Sequence, residues 1–155
     1  MFKKRISIFE VEEGNFLSPK FDNKGLIPVV TTDYKSGDIL MHGYMNQKAF
    51  KKTIETKEAH YWSRSRKALW HKGKTSGFVQ KVVELRIDDD QDAIWMKVNI
   101  GKGASCHVGY VSCFYRSIPL GKIKNLKKIK IKFKERKKKF DPDKIYKGQP
   151  NPTKL

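Results

Sequence analysis

The sequence predicts a single α+β domain, built mostly of antiparallel β-sheet with one main helix. The chain has 155 residues, the usual size of one domain, so residues 1–155 are expected to form one unit. Short segments rich in β-branched and aromatic residues recur between turns, as they do in antiparallel sheets. One segment, residues 46–57, has apolar residues at helical spacing.

The predicted strands lie on both sides of this helix. The first two, residues 27–33 and 38–45, flank a glycine-containing loop of hairpin length, so they are expected to pair antiparallel. Each of the remaining segments is short and rich in branched or aromatic residues. They predict four further strands, at residues 59–63, 68–71, 81–87 and 93–100.

The helix has a recognisable start and one apolar face. Asn46 is a suitable N-cap, because its side chain can accept a hydrogen bond from a backbone N–H of the first turn. Ala49, Phe50 and Ile54 follow at spacings that place them on the same face. This face is expected to pack against the sheet.

Residues 121–155 form a basic C-terminal extension with 14 basic and 3 acidic side chains. Within it, residues 128–134 alternate lysine with apolar residues, which predicts an edge strand with lysines in water. The apolar side chains that would face a core are Ile129, Ile131 and Phe133. Asp141 and Pro142 then predict the start of a short helix. The polar tail at 148–155 is expected to be disordered.

The formal net charge is +18, which predicts attraction to phosphates or other polyanions. Charge alone does not distinguish RNA, a membrane surface or a small phosphorylated metabolite, and it also serves solubility. No apolar stretch approaches the roughly 20 residues of a membrane span. Glutamates follow the basic N-terminus, where a secretory signal needs apolar residues. We therefore expect a cytoplasmic protein without a membrane-spanning segment.

Four aspartates crowd between the last two predicted strands of the sheet, at positions 88, 89, 90 and 92. Carboxylates this close repel one another unless a cation lies between them, which favours a hard divalent metal such as magnesium. If the backbone stays extended, Asp88, Asp90 and Asp92 lie on one side and Asp89 on the other. The alternative is a solvated hairpin loop, because aspartate is common in turns.

Two cysteines and a histidine lie within eight positions: Cys106, His107 and Cys113. Two cysteines are too few for a disulfide framework, and a cytosolic setting keeps them reduced, so no disulfide is expected. Thiolate and imidazole are ligands that zinc favours, and a catalytic zinc needs three protein ligands and one open position. A further ligand would have to come from elsewhere in the sequence. Two buried structural cysteines are the alternative.

A third cluster, residues 60–77, combines serines, arginines, lysines, glycines and two tryptophans. Hydroxyls and guanidinium groups suit phosphate oxygens, and the tryptophans could pack near a base or fill the core. Single-stranded RNA binding uses the same residue types. A basic surface hairpin is the third possibility.

These segments together resemble the phosphoribosyl-AMP cyclohydrolases, a family of enzymes in histidine biosynthesis. The resemblance covers nearly the whole chain and rests on many short motifs in the same order. They include Tyr44-Met45-Asn46, Trp62-Ser63-Arg64-Ser65-Arg66, Leu69-Trp70, Lys72-Gly73, Thr75-Ser76-Gly77, Gln80-Lys81-Val82, Cys106-His107 and Ser112-Cys113-Phe114-Tyr115-Arg116. Phe140-Asp141-Pro142 is similar to the C-terminal extension of longer members.

The resemblance implies a zinc-dependent hydrolase that opens the adenine ring of 1-(5-phosphoribosyl)-AMP between N1 and C6. It also implies an intertwined homodimer with one zinc ion per subunit, at a site shared between subunits, and a requirement for Mg²⁺. His107 is the candidate general base, proton shuttle or extra ligand. The residues expected to hold the phosphorylated nucleotide are Trp62, Ser63, Arg64, Ser65, Arg66, Lys72, Thr75 and Ser76.

The implied metal ligands include one departure from the family. An Asp-Cys-Asp-x-Asp segment in the family supplies three aspartates to magnesium and one cysteine to zinc. The aspartates correspond to Asp88, Asp90 and Asp92, and the two later zinc cysteines are Cys106 and Cys113. Here Asp89 replaces the first cysteine. A carboxylate can bind zinc, so Asp89 is the predicted third zinc ligand.

A second hypothesis is a family relative that has lost the reaction and binds RNA or another polyanion through its basic surface. The missing cysteine at Asp89 and the basic extension favour it. The retained Cys106, Cys113 and Ser-Arg-Ser-Arg motif argue against it. Phe78 and Val108, which replace polar residues of the family, also lie close to the expected site.

Overall fold

The computed structural model describes residues 2–122 and 124–150 of the chain. Its elements, in order, are α1 (Ile8–Glu12), β1 (Ile27–Asp33), β2 (Ile39–Met45), α2 (Gln47–Thr56), β3 (His60–Ser63), β4 (Ala68–His71), β5 (Lys81–Ile87), β6 (Ile94–Asn99), β7 (Arg116–Ser117), a 3-10 turn (Leu126–Lys128), β8 (Lys132–Phe133) and α3 (Pro142–Ile145). None of the helices in this part of the chain has the length and apolar composition that crossing a bilayer requires.

Four strands form the main sheet in the order β2-β1-β6-β5. β1 pairs antiparallel with β2, and β5 pairs antiparallel with β6, while β1 and β6 run parallel. Two smaller antiparallel pairs join β3 to β4 and β7 to β8. The predicted fold class, a single α+β domain of mostly antiparallel sheet, is confirmed. The six strands predicted between residues 27 and 100 are confirmed as well, with ends that shift by at most one residue.

The core lies on one face of the main sheet. Along β6, Ile94, Met96 and Val98 are buried, whereas Trp95 is 39% exposed. This alternation is expected when only one face of a strand is covered. Val30, the partner of Trp95 on β1, is 37% exposed. The opposite face of the sheet therefore presents apolar side chains to solvent.

Helix α2 begins as predicted. The Asn46 side chain accepts a hydrogen bond from the Ala49 N–H at 2.9 Å, and Ala49 and Phe50 are buried in the core. Ile54 was expected on the same face but is 44% exposed. Thr53 is buried instead. Its hydroxyl can be buried because it donates to the Ala49 carbonyl oxygen and accepts from the His60 N–H.

The N-terminal segment carries a helix that the sequence pattern did not predict, α1. Ser7 caps it by accepting a hydrogen bond from the Glu10 N–H. The buried Gln91 holds this segment against the body of the protein: its amide oxygen accepts from the Ser18 N–H at 2.7 Å, and its amide nitrogen donates to the Val11 carbonyl at 3.0 Å. The helix therefore depends on a contact from far along the chain.

The prediction of a strand at 128–134 is wrong for most of these residues. Only Lys132–Phe133 forms a strand, paired with β7, and Ile131 and Phe133 are 43% and 53% exposed. Alternation buries side chains only where a core lies beneath the strand, and here the chain crosses the surface. The helix start at Asp141 is confirmed by α3. The disorder predicted for 148–155 falls largely on residues 151–155, which lie outside the described residues.

Candidate functional site

A cleft of about 510 Å³ opens beside the β3–β4 hairpin and the loop that follows β6. Its lining combines hydroxyl, cationic and thiol groups with a few larger side chains, and includes no acidic residue among those described. It is formed by Met41, Ser63, Ser65, Arg66, Trp70, Lys72, Gly73, Thr75, Ser76, Ser105, His107, Cys113, Tyr146 and Pro150. Such a surface suits an anionic ligand.

Most of the predicted nucleotide-binding residues line this cleft. Trp62 and Arg64 do not. Ser63, at the end of β3, points into the cleft. Successive side chains on a strand point to opposite faces, so the Trp62 side chain points away from the cleft. The Arg64 guanidinium instead lies 4.1 Å from the centre of the Tyr44 ring. The six that line the cleft are Ser63, Ser65, Arg66, Lys72, Thr75 and Ser76.

Both cysteines are free and lie on one loop, with Cys106 buried and Cys113 exposed. The loop is closed by short-range backbone bonds: the Cys106 N–H donates to the Tyr110 carbonyl, and the Gly109 N–H donates to the Cys106 carbonyl. Gly109 has a φ of 106°, a conformation that favours glycine. A Cβ at that position would also collide with the Phe140 carbonyl oxygen.

The two thiols lie close enough to perturb each other's protonation. A hydrogen bond from Cys113 lowers the pKa of Cys106 to about 6, and the backbone at Val108 and Tyr110 and the Lys72 ammonium act in the same direction. The pKa of Cys113 is raised, mainly because of its hydrogen bond to Cys106. Cys106 is therefore largely a thiolate at neutral pH, which is the form that binds a metal ion.

Two basic side chains face the thiols. Lys72 is only 4% exposed, and this burial lowers its pKa. Its Nζ lies 5.2 Å from the centre of the Trp70 ring. The pKa of His107 is also lowered, first by burial and then by the charge of Lys72. Both side chains line the cleft together with Cys113, and burial favours the uncharged form of each.

A buried hydrogen-bond chain supports the floor of the cleft. The Tyr61 hydroxyl lies 2.7 Å from Thr31 Oγ1 and donates to Gln80 Oε1 at 2.8 Å. The Gln80 amide nitrogen donates to Ser105 Oγ at 2.9 Å, next to Cys106. Apart from the motif that contains Gln80, no sequence pattern predicted these buried hydrogen bonds, because polar residues are not normally expected to be fully buried.

The aspartate cluster forms a turn rather than an extended strand. The Asp88 carboxylate accepts hydrogen bonds from the N–H groups of Asp92 and Ala93, both at 2.9 Å. The backbone is therefore not extended here, and the predicted placement of Asp89 on the opposite side from the other aspartates does not apply. Carboxylate oxygens of Asp88, Asp89 and Asp90 lie within 4.8 Å of one another, as cation ligands would. The Lys20 ammonium lies 3.3 Å from Asp90 and 3.4 Å from Asp92.

The aspartate turn and the cysteines lie at opposite ends of the sheet. Gln80, which contacts Ser105, immediately precedes β5, whereas the aspartates immediately follow it. A seven-residue strand at about 3.3 Å per residue separates the two ends by about 20 Å. Within one chain, Asp89 therefore does not approach Cys106.

Comparisons with known proteins agree with the motifs. A sequence model of the phosphoribosyl-AMP cyclohydrolase family matches residues 41–115, which hold the cysteines, the aspartate turn and most of the cleft. The phosphoribosyl-AMP cyclohydrolase of Rhodopseudomonas palustris strain TIE-1 is 53% identical, covering 88% of this chain and 89% of its own length. That of Nitrobacter winogradskyi is 48% identical, covering 90% and 94%, and that of Brucella canis 56% identical, covering 70% and 78%.

Proposed function

Because this chain belongs to the phosphoribosyl-AMP cyclohydrolase family, we propose that it hydrolyses the N1–C6 bond of the adenine ring in 1-(5-phosphoribosyl)-AMP. The protein is a hydrolase of histidine biosynthesis. The observation that carries the proposal is the cleft, which brings the Cys113 thiol, with Cys106 buried beside it, together with a histidine and a row of cationic and hydroxyl groups.

One end of the cleft suits the phosphates of the substrate. Arg66 is held in place by the Ser63 hydroxyl, which accepts from its Nε at 3.1 Å. Ser65, Thr75 and Ser76 add hydroxyl donors on the same surface. A guanidinium group can bind a phosphate through two hydrogen bonds, so Arg66 is the main anchor in this proposal. The lack of acidic side chains in the described lining supports it.

The thiol pair fits zinc, with Cys106 and Cys113 as two ligands and Asp89 of a second copy as the third. The lowered pKa of Cys106, about 6, keeps one thiolate available for a metal ion at neutral pH. When bound, zinc supplies the Lewis acidity for hydrolysis at neutral pH. Thiolate ligands stay available in a reducing compartment, which supports a cytoplasmic location.

His107 is suited to accept a proton from the attacking water. Burial and the nearby Lys72 ammonium lower the pKa of its imidazole, so a ring nitrogen is free at neutral pH. The ring nitrogen would take the proton at the start of the reaction and return it to the departing N1.

A homodimer would bring the separated ligands together. Asp89 lies at the far end of the sheet from the cysteines of its own chain, so only a second chain can bring this carboxylate to them. The exposed apolar face of the sheet, with Val30 and Trp95, supports such an association. We propose that each subunit contributes its aspartate turn to the cleft of the other, giving one zinc ion per subunit.

The aspartates beside Asp89 are the proposed magnesium ligands. Oxygens of Asp88 and Asp90 already lie close together, and Asp90 and Asp92 share the Lys20 ammonium. A divalent cation would take the place of that ammonium and neutralise a phosphate of the substrate.

Elemental analysis of the pure protein, beside a spectrophotometric ring-opening assay, tests the proposal. We expect one zinc per chain, and loss of both zinc and activity in Cys106→Ser and Cys113→Ser. Asp88→Asn and Asp92→Asn should keep zinc and weaken the dependence on magnesium. Glu55→Gln, on the exposed side of α2, is the control and should match the wild type. Full zinc content in both cysteine variants would contradict the site assignment.

A further inference from the structure

Glu135, in the basic C-terminal extension, binds the backbone of the cysteine loop. Its Oε2 accepts a hydrogen bond from the Val111 N–H at 2.8 Å, and its Oε1 accepts one from the Ser112 N–H at 2.9 Å. Two consecutive N–H groups thus meet the two oxygens of one carboxylate. Hydrogen bonds to a charged acceptor are about twice as strong as neutral ones. Among the described residues, Glu135 forms no ion pair with any lysine or arginine.

The bound segment leads directly into the exposed cysteine. Ser112 precedes Cys113, whose own N–H donates to the Leu40 carbonyl at 2.7 Å. The Ser112 hydroxyl donates to the Ile39 carbonyl at 2.6 Å. The backbone at Cys113 is therefore held from two sides, by strand β2 and by the Glu135 carboxylate.

The extension is fastened to the same loop on both sides of Glu135. The Lys134 N–H donates to the Tyr115 carbonyl at 2.8 Å, and the Lys139 N–H donates to the Gly109 carbonyl at 2.7 Å. These bonds fix where the carboxylate sits. The extension lies beyond residues 41–115, the segment matched by the family model.

We propose that Glu135 is a positioning residue that holds Cys113 in the geometry needed for metal binding. The inference rests on the proposed function, because it takes Cys113 as a metal ligand. A ligand held in place by its surroundings loses less conformational freedom when the metal binds. The basic extension thus belongs to the metal site and does more than add charge.

Three variants test this role. Glu135→Ala removes both hydrogen bonds. Glu135→Gln keeps the side-chain size and one acceptor, but its amide nitrogen faces one of the two N–H groups. Glu55→Ala removes a glutamate of the same type that pairs only with Lys51 on the surface of α2. Hydrogen exchange of the amides at 110–114 is measured in metal-free protein, and zinc affinity is measured by competition with a chelator.

We expect Glu135→Ala to speed exchange at the Val111 and Ser112 amides by about 10- to 100-fold, the range for bonds to a charged group. Its zinc dissociation constant should rise by about tenfold or more. Glu135→Gln should give smaller changes in the same direction, and Glu55→Ala should match the wild type. Exchange elsewhere in the sheet should stay unchanged in all three.

Unchanged exchange at 110–114 or unchanged zinc affinity in Glu135→Ala would overturn the proposal. So would faster exchange across the whole sheet, because that result would indicate general destabilisation. If Glu135→Ala does not fold, the same criteria apply to Glu135→Gln. Failure of the proposed function is seen separately: Cys113→Ser would then bind zinc as the wild type does, whatever the exchange rates of the Glu135 variants.

Discussion

Subunit complementation tests whether the proposed metal site is shared between two chains. Asp89→Ala and Cys113→Ser are placed on separate chains, which are co-expressed with different affinity tags so that mixed dimers can be purified. Asp89 lies about 20 Å from the cysteines of its own chain, from the length of β5. If the site is shared, each metal site contains Asp89 from one chain and the cysteines from the other. A mixed dimer keeps one intact site of two, so we expect about half of the wild-type rate per dimer.

The matched control places both substitutions on one chain and pairs it with a wild-type chain. If the ligands come from different chains, both sites of this dimer are damaged and ring opening should be lost. If the ligands come from the same chain, this dimer keeps half of the activity and the first mixed dimer keeps none. That reversed result would refute the shared site. Near-native activity in the Asp89→Ala homodimer would instead show that Asp89 is not a ligand.

Three further predictions follow from the site and the core. Tyr61→Phe leaves the buried Thr31 hydroxyl and Gln80 amide oxygen unpaired, at about 1–3 kcal/mol each. Urea unfolding should therefore show a loss of about 2–6 kcal/mol, whereas Tyr34→Phe, an exposed tyrosine, should cost almost nothing. Arg66→Gln should raise KM for the substrate by about tenfold or more through loss of a phosphate contact, with Lys51→Gln, on the exposed surface of α2, as the kinetic control. Burial lowers the pKa of His60 below its usual 6.5. This histidine therefore binds a proton more readily in the unfolded chain than in the folded protein. The free energy of unfolding should consequently fall as pH drops below 6.5, and the fall should be smaller in His60→Gln.

Local sequence patterns determined the secondary structure wherever the deciding contacts are short-range. The Asn46 cap, the strand at 68–71 and the Asp141 cap depend on neighbours within a few positions, and the structure has them as predicted. The pattern failed at 128–134, because alternation specifies which side chains could be buried but not whether a core lies beside them. It also missed α1, whose position depends on Gln91, about 80 residues along the chain.

The sequence motifs also identified many of the residues that line the cleft, including six of the predicted nucleotide-binding residues and Cys113. Only the tertiary structure decided how these groups are arranged. It put the aspartate turn and the cysteines at opposite ends of β5, placed Tyr146 from the extension in the cleft wall, and joined Glu135 to the cysteine loop. Such contacts between distant segments depend on how strands and loops pack. No local spacing encodes them, because burial and distance arise only when the whole chain is folded.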